Sequence, residues 1–168
     1  GSPMILGCAG PGDDMIPDLD RCRVAVEQFL LLRRLSAVAV IGDYGFGLLC
    51  ARTACAMEIP VTLYRSQEAP PSVLGGLVEL VSTPQHPAST LVAVADWFLV
   101  LFGASWVCYR HPDKLGAATR QTISRLPQTM SAALCSRRVR EGGSEFEVAR
   151  MARGLGKTVE LWTPGMLE

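Results

Sequence analysis

SAVAVIGDYGFGLLCARTACAMEIPVTLY, residues 36 to 64, reads as a strand, a glycine-rich turn, a helix and a second strand. Ala37-Val38-Ala39-Val40-Ile41 is an uninterrupted apolar run rich in β-branched residues, the pattern of a strand covered on both faces in a parallel sheet. Gly42-Asp43-Tyr44-Gly45-Phe46-Gly47 then turns the chain tightly, since glycine takes positive φ without steric cost. A helix is expected from Leu48 to Met57, with Leu48, Ala51 and Cys55 on one side. Glu58-Ile59-Pro60 stops it, because proline cannot extend a helix, and Val61-Thr62-Leu63-Tyr64 starts the next strand.

A glycine turn between a strand end and a helix start has a chemical use. The first amides of a helix have no internal partner and carry partial positive charge, so they can hold a phosphate without a basic side chain. Asp43 would repel phosphate there, yet a carboxylate can accept hydrogen bonds from a ribose or a base. Gly42, Asp43, Gly45 and Gly47 are therefore candidate ligand residues. The alternative is a compact turn in which Asp43 caps the helix, and the order G-x-x-G-x-G differs from the dinucleotide fingerprint.

Working outward, Met4 to Ala9 is a short apolar strand that runs into Gly10-Pro11-Gly12-Asp13-Asp14, a second glycine turn at a strand end, with Gly10 a further ligand candidate. A helix follows from Asp18, with Leu19, Cys22, Val26, Phe29 and Leu30 on one face. With the strand at Ala37 this makes a βαβ unit. Beyond Tyr64, Arg65 to Pro71 is polar, Val73 to Val81 is expected as a short helix, Ser82 to Pro87 as a loop and Ala88 to Ala95 as a helix. Trp97 to Phe102 is a buried strand. Within Ala104 to Glu141, Ser105 to Arg110 is a strand or extended loop, and Leu115 to Leu126 and Met130 to Val139 are helices. A helix opened by Gly142-Gly143-Ser144 runs to about Arg153, burying Val148, Ala149, Ala152 and Leu155, and Thr158 to Trp162 is the last strand. Gly156-Lys157-Thr158 fails as a P-loop because Met151 stands where that motif needs glycine.

The 168 residues are expected to form one domain, from residue 4 to 168, with Gly1-Ser2-Pro3 read as a remnant of tag removal. Hydrophobic residues make up 49% and mean hydropathy is +0.25, which argues for buried strands and against disorder. The 16 basic and 16 acidic residues cancel, so nothing points to nucleic acid or an anionic membrane as the main partner. Six cysteines without a C-x-x-C pair, and no histidine at ligand spacing, point to no zinc site and no disulfide framework, but to small buried hydrophobes in a reducing cytoplasm. No apolar run reaches the roughly 18 residues of a membrane span, and no signal sequence opens the chain. No cofactor is implied. His86 and His111 read as loop residues, and Trp97, Trp106 and Trp162 as packing residues, with Trp106 the best candidate for a stacking platform.

Three motifs carry a resemblance: the glycine turn after an early strand, Ala95-Asp96 before an apolar strand, and Gly143-Ser144-Glu145-Phe146-Glu147 followed by Ala152, Gly156, Lys157 and Val159. Together they resemble the Rossmann-like superfamily of the DNA-processing protein DprA and the "Lonely Guy" phosphoribohydrolases, a group often mislabelled lysine decarboxylases. The ending is also similar to nucleoside deoxyribosyltransferases. The resemblance implies a nucleotide pocket at the carboxyl ends of the strands. It implies Glu147 as the carboxylate acting on the ribose–base bond, and Gly142, Gly143 and Ser144 as holders of the phosphate. It also implies dimerisation through helices. The chain departs from the phosphoribohydrolases in two places: Ala88 to Ala95 lacks their arginine, and Ala104 to Glu141 intervenes before the glycine motif.

The chemistry is consistent, since a carboxylate beside the anomeric carbon stabilises the charge that develops when an N-glycosidic bond breaks. Ser144-Glu145-Phe146-Glu147 is equally an S-x-x-E capping box, in which Glu147 reaches back to the first amide of its helix. The expectation is an α/β, Rossmann-like three-layer sandwich with a mainly parallel sheet. The function expected from the resemblance is nucleotide binding, extending to cleavage of the N-glycosidic bond of a nucleoside monophosphate if Glu147 is catalytic, with a non-catalytic sensing module or a DNA-processing-type interaction protein as the alternatives.

Overall fold

The structure, a computed structural model, describes residues 4–12, 16, 18–66, 74, 76–84, 86–101 and 144–162. In chain order the elements are β1 (Ile5–Ala9), α1 (Leu19–Leu31), β2 (Ala37–Ile41), α2 (Gly45–Ala56), β3 (Val61–Ser66), β4 (Glu79–Thr83), α3 (Pro87–Val94), β5 (Trp97–Leu101), α4 (Ser144–Gly154) and β6 (Thr158–Trp162). The six strands form one parallel sheet in the order β4-β3-β2-β1-β5-β6. The chain builds outward from β1 to β4, then returns to the other side of β1 and continues through β5 to β6. Such a sheet leaves a crevice where the direction of winding reverses, here at the carboxyl ends of β1 and β5.

The pleat sends alternate residues to opposite faces, and each face has its own core. On one side Leu6, Cys8, Val38, Val40, Leu63, Leu99 and Leu101 pack under α1 and α2, through Cys22, Val26, Phe29, Phe46, Cys50 and Ala54. On the other, Ala9, Ala39, Phe98, Val100 and Leu161 meet Leu91 and Val92 of α3 and Val148, Ala149 and Ala152 of α4. Towards this second core β1 offers Ile5, Gly7 and Ala9, and the Phe98 ring fills the space over Gly7. This is the three-layer α/β sandwich expected from the sequence.

The termini of the elements follow from identifiable bonds. Asp18 caps α1 by accepting from the Arg21 amide at 3.0 Å. His86, read as a loop residue, is the cap of α3: its Nδ1 accepts from the Ala88 amide, and Pro87 occupies the first helical position, where a missing N–H costs nothing. At the amino edge of the sheet, Asp96 returns two bonds to Ile5, its carboxylate accepting from the Ile5 amide and its own amide donating to the Ile5 carbonyl, each at 2.9 Å. Lys157 donates to the carbonyls of Val92 at 2.7 Å, Ala95 at 2.9 Å and Ala93 at 3.3 Å, closing the end of α3.

Several expectations are corrected. The described residues between Val73 and Val81 do not form the expected helix: Gly76, at φ +83°, turns the chain, and Glu79–Thr83 forms the edge strand β4 beside β3. This strand also takes up the start of the loop expected from Ser82. Helix α2 begins at Gly45, not Leu48; its buried side runs through Phe46, Cys50, Thr53 and Ala54 together with Ala51, as expected from the sequence, while Leu48 and Cys55 are half-buried and pack against the same core. Leu19 and Leu155, assigned to buried faces, are 43% and 63% exposed. The elements expected within Ala104 to Glu141, together with Trp106 and His111, lie outside the described residues.

Candidate functional site

At the carboxyl edge, β1 gives way to Gly10-Pro11-Gly12 and β2 to the turn from Gly42 to Gly45. The structure packs these two glycine turns against each other. A Cβ on Gly10 would stand 2.6–2.7 Å from atoms of Phe46, and one on Gly45 would collide with the Pro11 carbonyl oxygen. The Phe46 amide donates to that same carbonyl at 3.0 Å. Gly45 also has φ +57°, so a side chain there is disfavoured both by the backbone and by its neighbours. Gly42, at φ +76°, makes the sharp exit from β2, and Gly47 lets the first turn of α2 rest on the Ile41 and Gly42 carbonyls. The glycine pattern is thus explained by a tight joint between two loops.

That joint changes what the turn can do chemically. An open helix end presents several free amides to an anion. Here the amide of Phe46 is already bonded to Pro11, the Gly45 side is filled by the preceding loop, and a carboxylate stands beside them. Asp43 is half-buried and has no hydrogen-bond or ion-pair partner among the described residues. It does not cap the helix: the cap position belongs to Tyr44, which makes no side-chain capping bond. The Tyr44 ring lies over Gly42 and is 57% exposed. The corner therefore offers a hydrogen-bond-accepting carboxylate and an accessible aromatic ring.

Glu147 stands on the opposite face, in the first turns of α4, which packs on α3, β5, β6 and β1. Its neighbours Val148 and Ala149 are buried, and its own side chain is 27% exposed. The carboxylate accepts from Arg150 at 3.0 Å, an ion pair one helical turn forward. Ser144 is the first residue of α4, and its side chain, on which the capping box expected from Ser144-Glu145-Phe146-Glu147 depends, lies outside what the structure describes. Gly142 and Gly143 lie outside the described residues. The structure thus brings Gly10, Gly42, Asp43, Gly45 and Gly47 together at the ends of β1 and β2, and sets Glu147 at the same edge on the other side of the sheet.

Sequence reasoning passed over Arg65. It lies in β3, one residue beyond Tyr64, which pairs with Ile41, so it is level with Gly42. It is half-buried, and its guanidinium has no partner among the described residues. An arginine at a strand end, one strand away from a glycine turn, is the signal that could have found it. Tyr64 itself is held protonated to higher pH by burial and, secondarily, by the Glu79 carboxylate.

Other chemistry-bearing residues have structural tasks. Asp96 and Lys157, both part of the motifs behind the resemblance, sit at the amino edge of the sheet, away from this corner. Cys8, Cys22 and Cys50 are fully buried; burial pushes the Cys22 thiol up to about 11 and that of Cys50 well above its ordinary value. Among the described residues no group of histidine, cysteine, aspartate and glutamate is arranged to hold a metal ion, and no helix is long and apolar enough to cross a membrane. Comparison of the chain with models of known protein families, with curated proteins and with solved structures finds no match.

Proposed function

We propose that the protein binds a nucleotide at the carboxyl edge of its sheet, across the ends of β1, β2 and β5, as a member of the Rossmann-like superfamily that its motifs resemble. The observation that carries this reading is Asp43: a half-buried carboxylate without a partner among the described residues, fixed at the end of β2 beside the point where the winding reverses. Leaving a partly desolvated acceptor unpaired costs stability, and the cost is recovered when a ligand supplies hydroxyl or amino donors. A ribose does so with its neighbouring hydroxyls. Tyr44, exposed next to it, offers a face on which a base can stack.

Turnover on this reading belongs to Glu147, whose carboxylate would stabilise the sugar cation as the N-glycosidic bond breaks. A second reading, binding without turnover, is favoured by the ion pair that already occupies Glu147. One experiment tests both. Thermal unfolding is followed against nucleoside monophosphates, nucleosides and bases, and each sample is then examined chromatographically for released base. A ligand at about 100 times its dissociation constant adds roughly 2.7 kcal/mol, or about 5–10 °C for a domain of this size. Released base that disappears in Glu147→Gln supports the hydrolase. A shift without release in the wild type supports the binding module, and no shift with any nucleotide removes both.

A further inference from the structure

We infer that Arg65 is the anion-binding residue of this site, so that the phosphate of the nucleotide lies over the end of β3 and not at the glycine turn. The inference rests on the nucleotide reading above and adds to it where the charged group goes. Two features of the glycine turn count against it as the phosphate site. The Phe46 amide, which an anion at the start of α2 would need, is bonded to the Pro11 carbonyl, and the loop that carries Pro11 fills the space beside Gly45. The Asp43 carboxylate in the same turn repels a second negative charge.

One strand away the situation is reversed. Val61 and Leu63 of β3 face the core under α1 and α2, and Tyr64 packs against the opposite core. The alternation of the strand therefore carries Arg65 to the α2 side, where the turn from Gly42 to Gly45 leaves the sheet. Arg65 is half-buried and level with Gly42; its backbone pairs with Ser82 of β4 and its carbonyl accepts from Thr83, while its guanidinium has no partner among the described residues. The described arginine near Glu147, Arg150, is already engaged with that carboxylate. A planar guanidinium matches two phosphate oxygens at once. Asp43 and Arg65, at the ends of adjacent strands and with side chains that have no partner among the described residues, thus fit a ligand with hydroxyl donors and an anion a few bonds apart: a ribose phosphate.

The test uses the full chain, the common ribonucleoside 5′-monophosphates, their parent nucleosides, and inorganic phosphate as competitor, with affinities from calorimetric titration. A charge-assisted contact of this kind gives the wild type an affinity for monophosphate about ten- to a hundredfold above that for nucleoside. In Arg65→Gln this preference collapses towards unity while nucleoside affinity holds, and inorganic phosphate ceases to compete. Arg65→Lys, which keeps the charge but not the planar fork, retains part of the preference and serves also should the glutamine variant unfold. A full preference retained in either variant overturns the inference and leaves nucleotide binding standing. If the wild type binds no nucleotide or nucleoside, the nucleotide reading falls and the inference with it.

Discussion

Replacing Lys157 with methionine keeps the length and apolar stem of the side chain and removes its ammonium group. In the wild type that group donates to three carbonyls, those of Val92, Ala93 and Ala95, at the end where α3 leaves such oxygens without intrahelical partners. Helix α3 has only 8 residues, too few to persist without tertiary support. A hydrogen bond from a charged donor contributes about 1.5–3 kcal/mol, and the cation also opposes the negative end of the helix dipole. The Ala93 carbonyl recovers water in the variant, whereas Val92 and Ala95 are buried and do not. The expected loss is therefore about 3 kcal/mol, or about 6–12 °C in the midpoint of a domain this size. Urea unfolding followed by circular dichroism measures it, with an unchanged slope showing that the unfolded state is the same. Nucleotide affinity should not change, because Lys157 is at the opposite edge of the sheet from Asp43. A variant within about 0.5 kcal/mol of wild type would refute the capping argument.

Other outcomes follow from the same geometry. Gly45→Ala must hold a side chain at φ +57° and displace the Pro11 carbonyl, so equilibrium unfolding should show a loss on the order of 2–4 kcal/mol. A loss below about 1 kcal/mol would mean that the loop yields easily. Folding raises the Cys22 thiol from its ordinary value of 9.0 to about 11, by burial first and by the Asp18 carboxylate second. The folded state therefore keeps a proton that the unfolded state releases. The associated stability is complete below pH about 9 and is lost as pH rises towards about 11, on the order of 2–3 kcal/mol in all. Urea midpoints across this window should fall less steeply for Cys22→Ala than for the wild type, and parallel curves would remove the argument.

How much was legible in the sequence differs between elements for physical reasons. The strands at Ala37–Ile41 and Thr158–Trp162 match their expected bounds. In each, the punctuation is local: glycine follows the first, and Gly156 at φ +72° precedes the second. β4 was hidden because Val73 to Val81 is apolar without a clear period. Its strand is defined by pairing with β3, a partner 17 residues away at Thr62–Glu79. In α2 an error of three residues at the start rotated the inferred face, so Leu48 took the place of Phe46 as anchor.

The site was legible as glycine turns with the Asp43 carboxylate among them, and no further. Nothing in the linear order indicates that Gly10 and Gly45 touch the same loop joint, which closes the anion hole that the turn alone would have offered. Arg65 was missed because its meaning comes from strand order: only when β3 is known to lie beside β2 does its side chain belong with Asp43. The capping box at Ser144 and Glu147 was a sound local reading, but Arg150, one turn on, supplies a charged partner for the same carboxylate.

The position of β1 governs the order in which the molecule can assemble. Of the six strands it is made first, yet it lies inside the sheet, and its second neighbour β5 is not complete until residue 101. The bonds that secure the later half reach far back along the chain, from Asp96 to Ile5 across 91 residues and from Glu160 to Arg33 across 127. A nascent chain ending before Trp97 can pair β1 with β2 while its other edge, with Leu6 and Cys8, stays open. Such an edge invites pairing with another chain. The same winding reversal that creates the crevice thus delays completion of the sheet until β5 and β6 have been made, and makes the unfinished sheet dependent on escaping its own neighbours.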